Sequence, residues 1–268
     1  MCIRDRLDGV VYLQADLTDR VQLQKRLSLT TYDYVVNLSG YINHSPFLQE
    51  GREVIDTHFV GVENLLNELD WNVLKSFVQI GSSDEYGDLP APQHEAMREA
   101  PISPYSLGKV ATTQLLQMLS RTEGFSAVIL RLFLVYGPEQ DEKRFLPQII
   151  NGCFSNECFS VSEGGQLRDF CFVEDIVRGI LLALKSDRVN GQIINLASGQ
   201  PVTIRKMIEL VRQLTGQGVP EFGQLPYRIG ENMELYADIG KARELLKWEP
   251  KIALEEGVRR TIHFMRPS

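Results

Sequence analysis

Several things are scarce in this chain of 268 residues, and each scarcity removes a class of function. It has four cysteines, at 2, 153, 158 and 171, with no Cys-x-x-Cys pair and no histidine at metal-ligand spacing. A disulfide scaffold and a zinc site are therefore not expected, and ordinary thiols suit a reducing cytoplasm. No metal is expected. No run of Lys or Arg stands out, and the net charge of −7 with a pI near 5.3 argues against a nucleic-acid partner. No apolar stretch approaches the roughly 20 residues of a membrane span, and no charged-then-apolar leader opens the chain. Repeats and low-complexity segments are also missing. What remains, with 43% hydrophobic content, suffices for a large core in one domain or two interleaved ones.

Short β-rich runs alternate with helical patterns. Val10–Leu13, Tyr34–Leu38, Ser76–Ile80, Ala127–Phe133 and Gln192–Leu196 read as strands. Phe59–Leu69, Val110–Leu119 and Asp175–Leu184 have helical spacing, and Asp16-Leu17-Thr18-Asp19 reads as a helix start. Near-continuous apolar strands separated by helices predict an α/β fold, a doubly wound parallel sheet covered on both faces. The stretch 137–144 and the Gly/Pro-punctuated tail beyond Gly199 read as excursions from that sheet.

The chemistry is concentrated in Gly81-Ser82-Ser83-Asp84-Glu85-Tyr86-Gly87 and Ser103-Pro104-Tyr105-Ser106-Leu107-Gly108-Lys109. Tyr and Lys at i and i+4 share a helix face. There an ammonium can lower the phenol's pKa while a serine hydroxyl binds the same reacting oxygen. This is equipment for moving a proton on and off an alcohol or ketone. A lone Tyr-x-x-x-Lys arises by chance in many helices; an apolar strand ending Gly-Ser-Ser, 22 positions before the tyrosine, makes it specific. Tyr105 is read as general acid/base, Lys109 as its electrostatic partner and Ser83 as the hydroxyl on the substrate oxygen. Ser82 could exchange roles with Ser83.

With these residues the chain resembles the extended short-chain dehydrogenase/reductases of the NAD-dependent epimerase/dehydratase family, which mostly act on nucleotide sugars. The resemblance runs from about Val10 to Thr261. It includes Ala15-Asp16-Leu17, Asn37-Leu38-Ser39-Gly40, Gly61–Leu66, Arg131–Pro138, Gly165–Asp175, Ala237–Ala242 and Leu246–Pro250. It implies a Rossmann-like domain over residues 1–140 and 170–197, and a smaller α/β nucleotide-sugar lobe over 141–169 and 198–268. It implies NAD or NADP as cofactor and a cytoplasmic homodimer as the full-length enzyme. Asp16 and Leu17 would flank the adenine, Leu38, Ser39 and Gly40 the adenosine ribose, and Phe133 the nicotinamide, with Tyr105 and Lys109 against the ribose beside it. Arg168 and Arg228 would grip the nucleotide phosphates, with structural salt bridges as the plain alternative. Asp84 and Glu85 match the acid and base of the dehydratase branch, or else a solvated loop pair. Leu134 and His58 stand where the family often has Asn; His58 is read as a hydrogen-bonded core histidine.

The family opens with a strand and a Gly-x-x-Gly-x-x-Gly turn, neither of which is found here. The sheet is therefore expected to lack its first two strands, roughly 50 residues, and the six opening residues match nothing in the pattern. The implied activity is hydride transfer at the sugar's C4 by an epimerase or dehydratase. The alternatives are a 4-keto reductase or an inactive, non-catalytic member.

Overall fold

The computed structural model describes residues 7–27, 30–227 and 230–266. Helix α1 (Arg20–Leu27) precedes strand β1 (Tyr34–Asn37). A π-helical turn at Phe47–Gly51 leads into α2 (Arg52–His58) and α3 (Val60–Asn67). Strand β2 (Ser76–Ser82) ends in a 3₁₀ turn, Ser83–Tyr86, and α4 (Pro104–Thr122) follows. Then come β3 (Ala127–Leu132), β4 (Leu134–Tyr136), α5 (Phe145–Ser155), β5 (Cys158–Ser160), β6 (Leu167–Phe172) and α6 (Val173–Leu184). The chain continues through β7 (Ile193–Leu196), β8 (Pro201–Thr203), α7 (Ile204–Thr215), β9 (Val219–Glu221), β10 (Glu234–Leu235), α8 (Gly240–Leu246) and α9 (Leu254–Met265).

The main sheet is parallel, in the order β1-β2-β3-β7. Its central strands are apolar at consecutive positions because both faces are covered. Phe77 and Ile129 pack with Val62, Leu66 and Leu116 under α3 and α4. Their neighbours Val78 and Leu130 turn the other way, onto Ile176, Ile194 and Trp248. The period of two along each strand thus feeds two cores.

Two expectations need correction. Val10–Leu13 forms no strand, and Val10, Val11 and Leu13 are exposed. β-Propensity yields a strand only where a neighbouring edge completes the hydrogen-bond ladder; among the described residues β1 pairs on one side only, with β2. The segment around 240–248, placed in the second lobe, packs instead beneath the main sheet. Ala242, Leu246 and the fully buried Trp248 bury there, and the indole N–H donates to the Asp175 carbonyl at 2.9 Å.

The chain changes sheets at Phe133. β3 ends in the main sheet at Leu132, and β4 pairs with β6, which also holds β10 in parallel and β8 antiparallel. α5, α7 and α9 cover this second layer through Leu146, Ile150, Met207, Val211, Val258 and Ile262. The switch brings the end of β2, the start of α4 and the β3–β4 junction together around one cleft.

Candidate active site

β2 delivers Ser82 in an extended conformation as the cap of the 3₁₀ turn. The Ser82 hydroxyl accepts from the Asp84 N–H at 3.2 Å, and the Glu85 carboxylate accepts from the Ser82 N–H at 2.9 Å. Ser-x-x-Glu is a capping-box signature, each end satisfying the other's orphan donor. Across the cleft, Ser103 caps α4 and Pro104 sets its first turn. Tyr105 and Lys109 then stand one turn apart, 5% and 6% exposed.

The cleft has a volume of about 640 Å³ and is lined by His44, Ser82, Ser83, Asp84, Tyr105, Phe133 and Arg144, with others. Of the two serines, Ser82 is the one whose side chain acts on the Tyr105 phenol, opposing the burial that raises its pKa. Ser83, read as the hydroxyl on the substrate oxygen, is buried beside it at the cleft wall. Ser82 is the last extended residue and caps the turn, whereas Ser83 has already entered it.

Lys109 Nζ donates to the Ile80 carbonyl at 2.9 Å and lies 5.9 Å from the centre of the Tyr105 ring. Burial pulls its pKa down to about 8, with the Glu85 charge opposing. Tyr105 departs from the expected depression. Burial pushes it up to about 12, and nearby Asp84 and Glu85 add to that, while the Ser82 side chain and Arg144 oppose it. The phenol is therefore held protonated. Two histidine rings meet it edge-on, His58 at 5.0 Å and His44 at 5.5 Å between centroids. His58 is brought down to about 4 by burial and by Lys109, and its Nε2 bonds the Tyr41 carbonyl at 2.9 Å.

The Asp84–Glu85 pair separates. Asp84 faces the cleft with a carboxyl raised by burial, its Oδ2 3.6 Å from His44 Nε2. Glu85 does not line the cleft and has no accessible surface. Its carboxylate accepts from Thr113 Oγ1 at 2.8 Å and from Arg131 Nε and Nη2 at 3.0 and 2.8 Å. An ion-paired carboxylate at this depth has no substrate to reach, so its expected place in the acid–base pair is corrected. The capping-box spacing over 82–85 was the available signal. His44 and Arg144 carried none in the sequence; only the loops they ride on bring them here.

Asp16, Leu17, Leu38, Ser39 and Gly40 gather around a second cavity of about 1040 Å³ beside the unpaired edge of β1. Asp16 Oδ1 caps its own turn, accepting from Thr18 N and Oγ1 at 2.9 and 2.8 Å. Gly40 has a φ of +108°, and a Cβ there would sit 2.2 Å from the His58 ring. Arg168 donates to Glu231 and to the Leu167 carbonyl rather than lining the cleft, although its charge is felt at Asp84. It thus makes the salt bridge that is the plain alternative to the expected phosphate grip. Arg228 lies outside the described residues. Among the described residues no group of three or more His, Cys, Asp or Glu could hold a metal ion.

Residues 3–197 match the family described as "NAD dependent epimerase/dehydratase family". The chain belongs to this NAD-dependent epimerase/dehydratase family. The family member described here is 28% identical over 258 residues to a UDP-glucuronate 4-epimerase of Thermodesulfobacterium geofontis, covering 95% of this chain and 79% of that one. It is 27% identical over 275 residues to a dTDP-glucose 4,6-dehydratase of Neisseria gonorrhoeae, covering 94% and 79%. Its fold superposes with a TM-score of 0.88 on a UDP-glucose 4-epimerase of Thermotoga maritima solved with UDP-glucose, at 26% identity, covering 98% and 86%.

An NAD-type cofactor fits this epimerase/dehydratase chain at its two ends. The open, glycine-kinked cavity at Leu38–Gly40 suits the adenosine, and the cleft at Tyr105 and Phe133, with Lys109 5.9 Å from the Tyr105 ring, suits the nicotinamide. The loop 38–44 joins them: Tyr41 lines one cavity and Ile42 and His44 the other. The sequence contains no Gly-x-x-Gly-x-x-Gly turn to bind the pyrophosphate.

Proposed function

We propose that the cleft carries out proton transfer at C4 of a nucleotide sugar, in an NAD(P)-dependent epimerase or dehydratase. The carrying observation is the single cleft lined by Ser82, Ser83 and Tyr105, with Lys109 one helical turn beyond the tyrosine. When bound, the nicotinamide accepts and returns hydride, and its positive charge favours the phenolate. Tyr105 takes the proton of the C4 hydroxyl and later gives one back to the C4 carbonyl. Ser82 holds that oxygen, and Lys109 supplies the adjacent charge. Net reduction of a 4-keto sugar is the second reading, favoured by the protonated state in which burial keeps Tyr105.

Asp84 separates the first two outcomes. Its raised carboxyl, opposite His44, is placed to exchange a proton with a carbon acidified by the C4 ketone. Tyr105→Phe, assayed with NAD⁺ and UDP- or dTDP-glucose, should lose about 10²-fold or more in kcat with folding intact. Near-normal turnover would defeat the reading. Asp84→Asn should abolish any dehydrated product while sparing epimerised product; dehydration unaffected by it would remove Asp84 from the chemistry.

A further inference from the structure

We propose that the buried Glu85 carboxylate, held by Arg131 and Thr113, is a positioning residue that fixes the Ser82 turn relative to the helix that carries Tyr105. This rests on the reading of Tyr105 as the proton carrier.

Glu85 is bonded to three elements at once. One carboxylate oxygen takes the Ser82 N–H, fixing the backbone of the serine that lines the cleft with Tyr105. The other takes the hydroxyl of Thr113, on the same helix as Tyr105 and Lys109 and two turns and one turn beyond them respectively. It also takes two N–H groups of Arg131, on β3. One carboxylate thus sets the serine turn relative to the tyrosine helix, with the strand as anchor.

The anchor itself has little freedom. Arg131 is fully buried; its Nη2 also donates to Glu99 at 2.7 Å, and its guanidinium lies 4.5 Å from the centre of the Tyr86 ring. Tyr86 in turn donates to Asn195 on β7 at 2.8 Å. Gly81 keeps the approach open, since a Cβ there would come within 2.6 Å of Glu85 Oε1. A hydroxyl donor misplaced by even 1 Å loses much of its catalytic value, so the rigidity has a use. The Glu85 charge also raises the pKa of both Lys109 and Tyr105.

Two substitutions test this in the NAD⁺-loaded protein with a nucleotide-sugar substrate. Glu85→Gln keeps the shape and removes the charge; Thr113→Val removes one hydrogen bond and leaves the ion pair intact. Each should lower kcat about tenfold or more with KM within about threefold. In Glu85→Gln the pH–rate profile should also move to lower pH, because the charge that raises both groups is gone. Combined with Tyr105→Phe, neither should lower the rate further, since a residue acting through Tyr105 has nothing left to position. Should Glu85→Gln fail to fold, by circular dichroism, Thr113→Val decides alone. Normal kcat in folded Thr113→Val, losses additive with Tyr105→Phe, or an unmoved pH profile in folded Glu85→Gln would overturn the proposal. If Tyr105→Phe itself keeps full activity, the proposed function fails instead.

Discussion

His58 shows how much a single side chain is constrained near the reacting tyrosine. It bonds the Tyr41 carbonyl, meets Tyr105 edge-on and fills the space that a Cβ on Gly40 would need. It is 4% exposed and faces the Lys109 ammonium, so its protonated form is disfavoured and its pKa falls from 6.5 to about 4. The folded-state pKa is the lower one, so the unfolded chain takes up this proton first. The histidine's contribution is intact above about pH 6.5 and is lost as pH falls from there to about 4, amounting to at most about 3 kcal/mol. His58→Asn removes that titration. Urea midpoints of the wild-type protein should therefore fall more steeply than the variant's between pH 6.5 and 4.5. Parallel curves would show that His58 does not titrate in this window. The sequence supported reading His58 as a hydrogen-bonded core residue, but not its contact with Tyr105, because the two lie on separate helices that only packing brings together.

At the scale of elements, the clearest local instructions are the caps. Ser103-Pro104 begins α4: the Ser103 hydroxyl accepts from the Ser106 N–H at 3.1 Å, and the Ser106 hydroxyl takes the Ser103 N–H at 2.9 Å. This cap fixes the turn that carries Tyr105. Ser103→Ala should destabilise the protein by about 1 kcal/mol, read as a shift in the denaturant midpoint. A loss below a few tenths would mean that tertiary packing alone sets the helix start. β2, β3, β7, α4 and α6 were legible because their apolar periodicity agrees with their burial. β4 was not, since Leu134–Tyr136 continues the β3 pattern without a break and only the partner strand β6 separates them. Glu85 was misread for a related reason. Its neighbour Asp84 is equally acidic, and only the turn decides which of them faces the cleft.

In the whole molecule the outer edge of β1 is the exposed feature. Leu38 is 67% exposed at its end, with Tyr34, Tyr41 and Ile42 also accessible. An unpaired parallel edge flanked by apolar side chains is a template for association with other chains. The chain should therefore self-associate with rising concentration, and Leu38→Lys should reduce this by placing a charge at the edge, as measured by light scattering. Equal scattering from both proteins would locate the association elsewhere. The same edge borders the proposed adenosine cavity, and the sequence supplies no glycine turn for a pyrophosphate. Calorimetric titration of NAD⁺ into this chain should accordingly give a Kd weaker than about 100 μM, since the sequence has no glycine turn to bring backbone donors against the phosphates. Micromolar affinity would show that other groups replace them.

The sequence by itself determined the alternation of strands and helices, the parallel sheet and the Tyr105–Lys109 pair, because these depend on spacing along the chain. Period two, period 3.6 and an i, i+4 separation are local quantities that survive any packing consistent with them. Tertiary structure alone decided which serine caps the turn at the cleft and which acid is buried. It also brought His44 and Arg144 to the cleft and raised rather than lowered the Tyr105 pKa. Those outcomes depend on desolvation and on distances between segments far apart in the chain. Val10–Leu13 makes the same point from the other side: its side chains favour a strand, yet a strand exists only where a second backbone completes its hydrogen bonds.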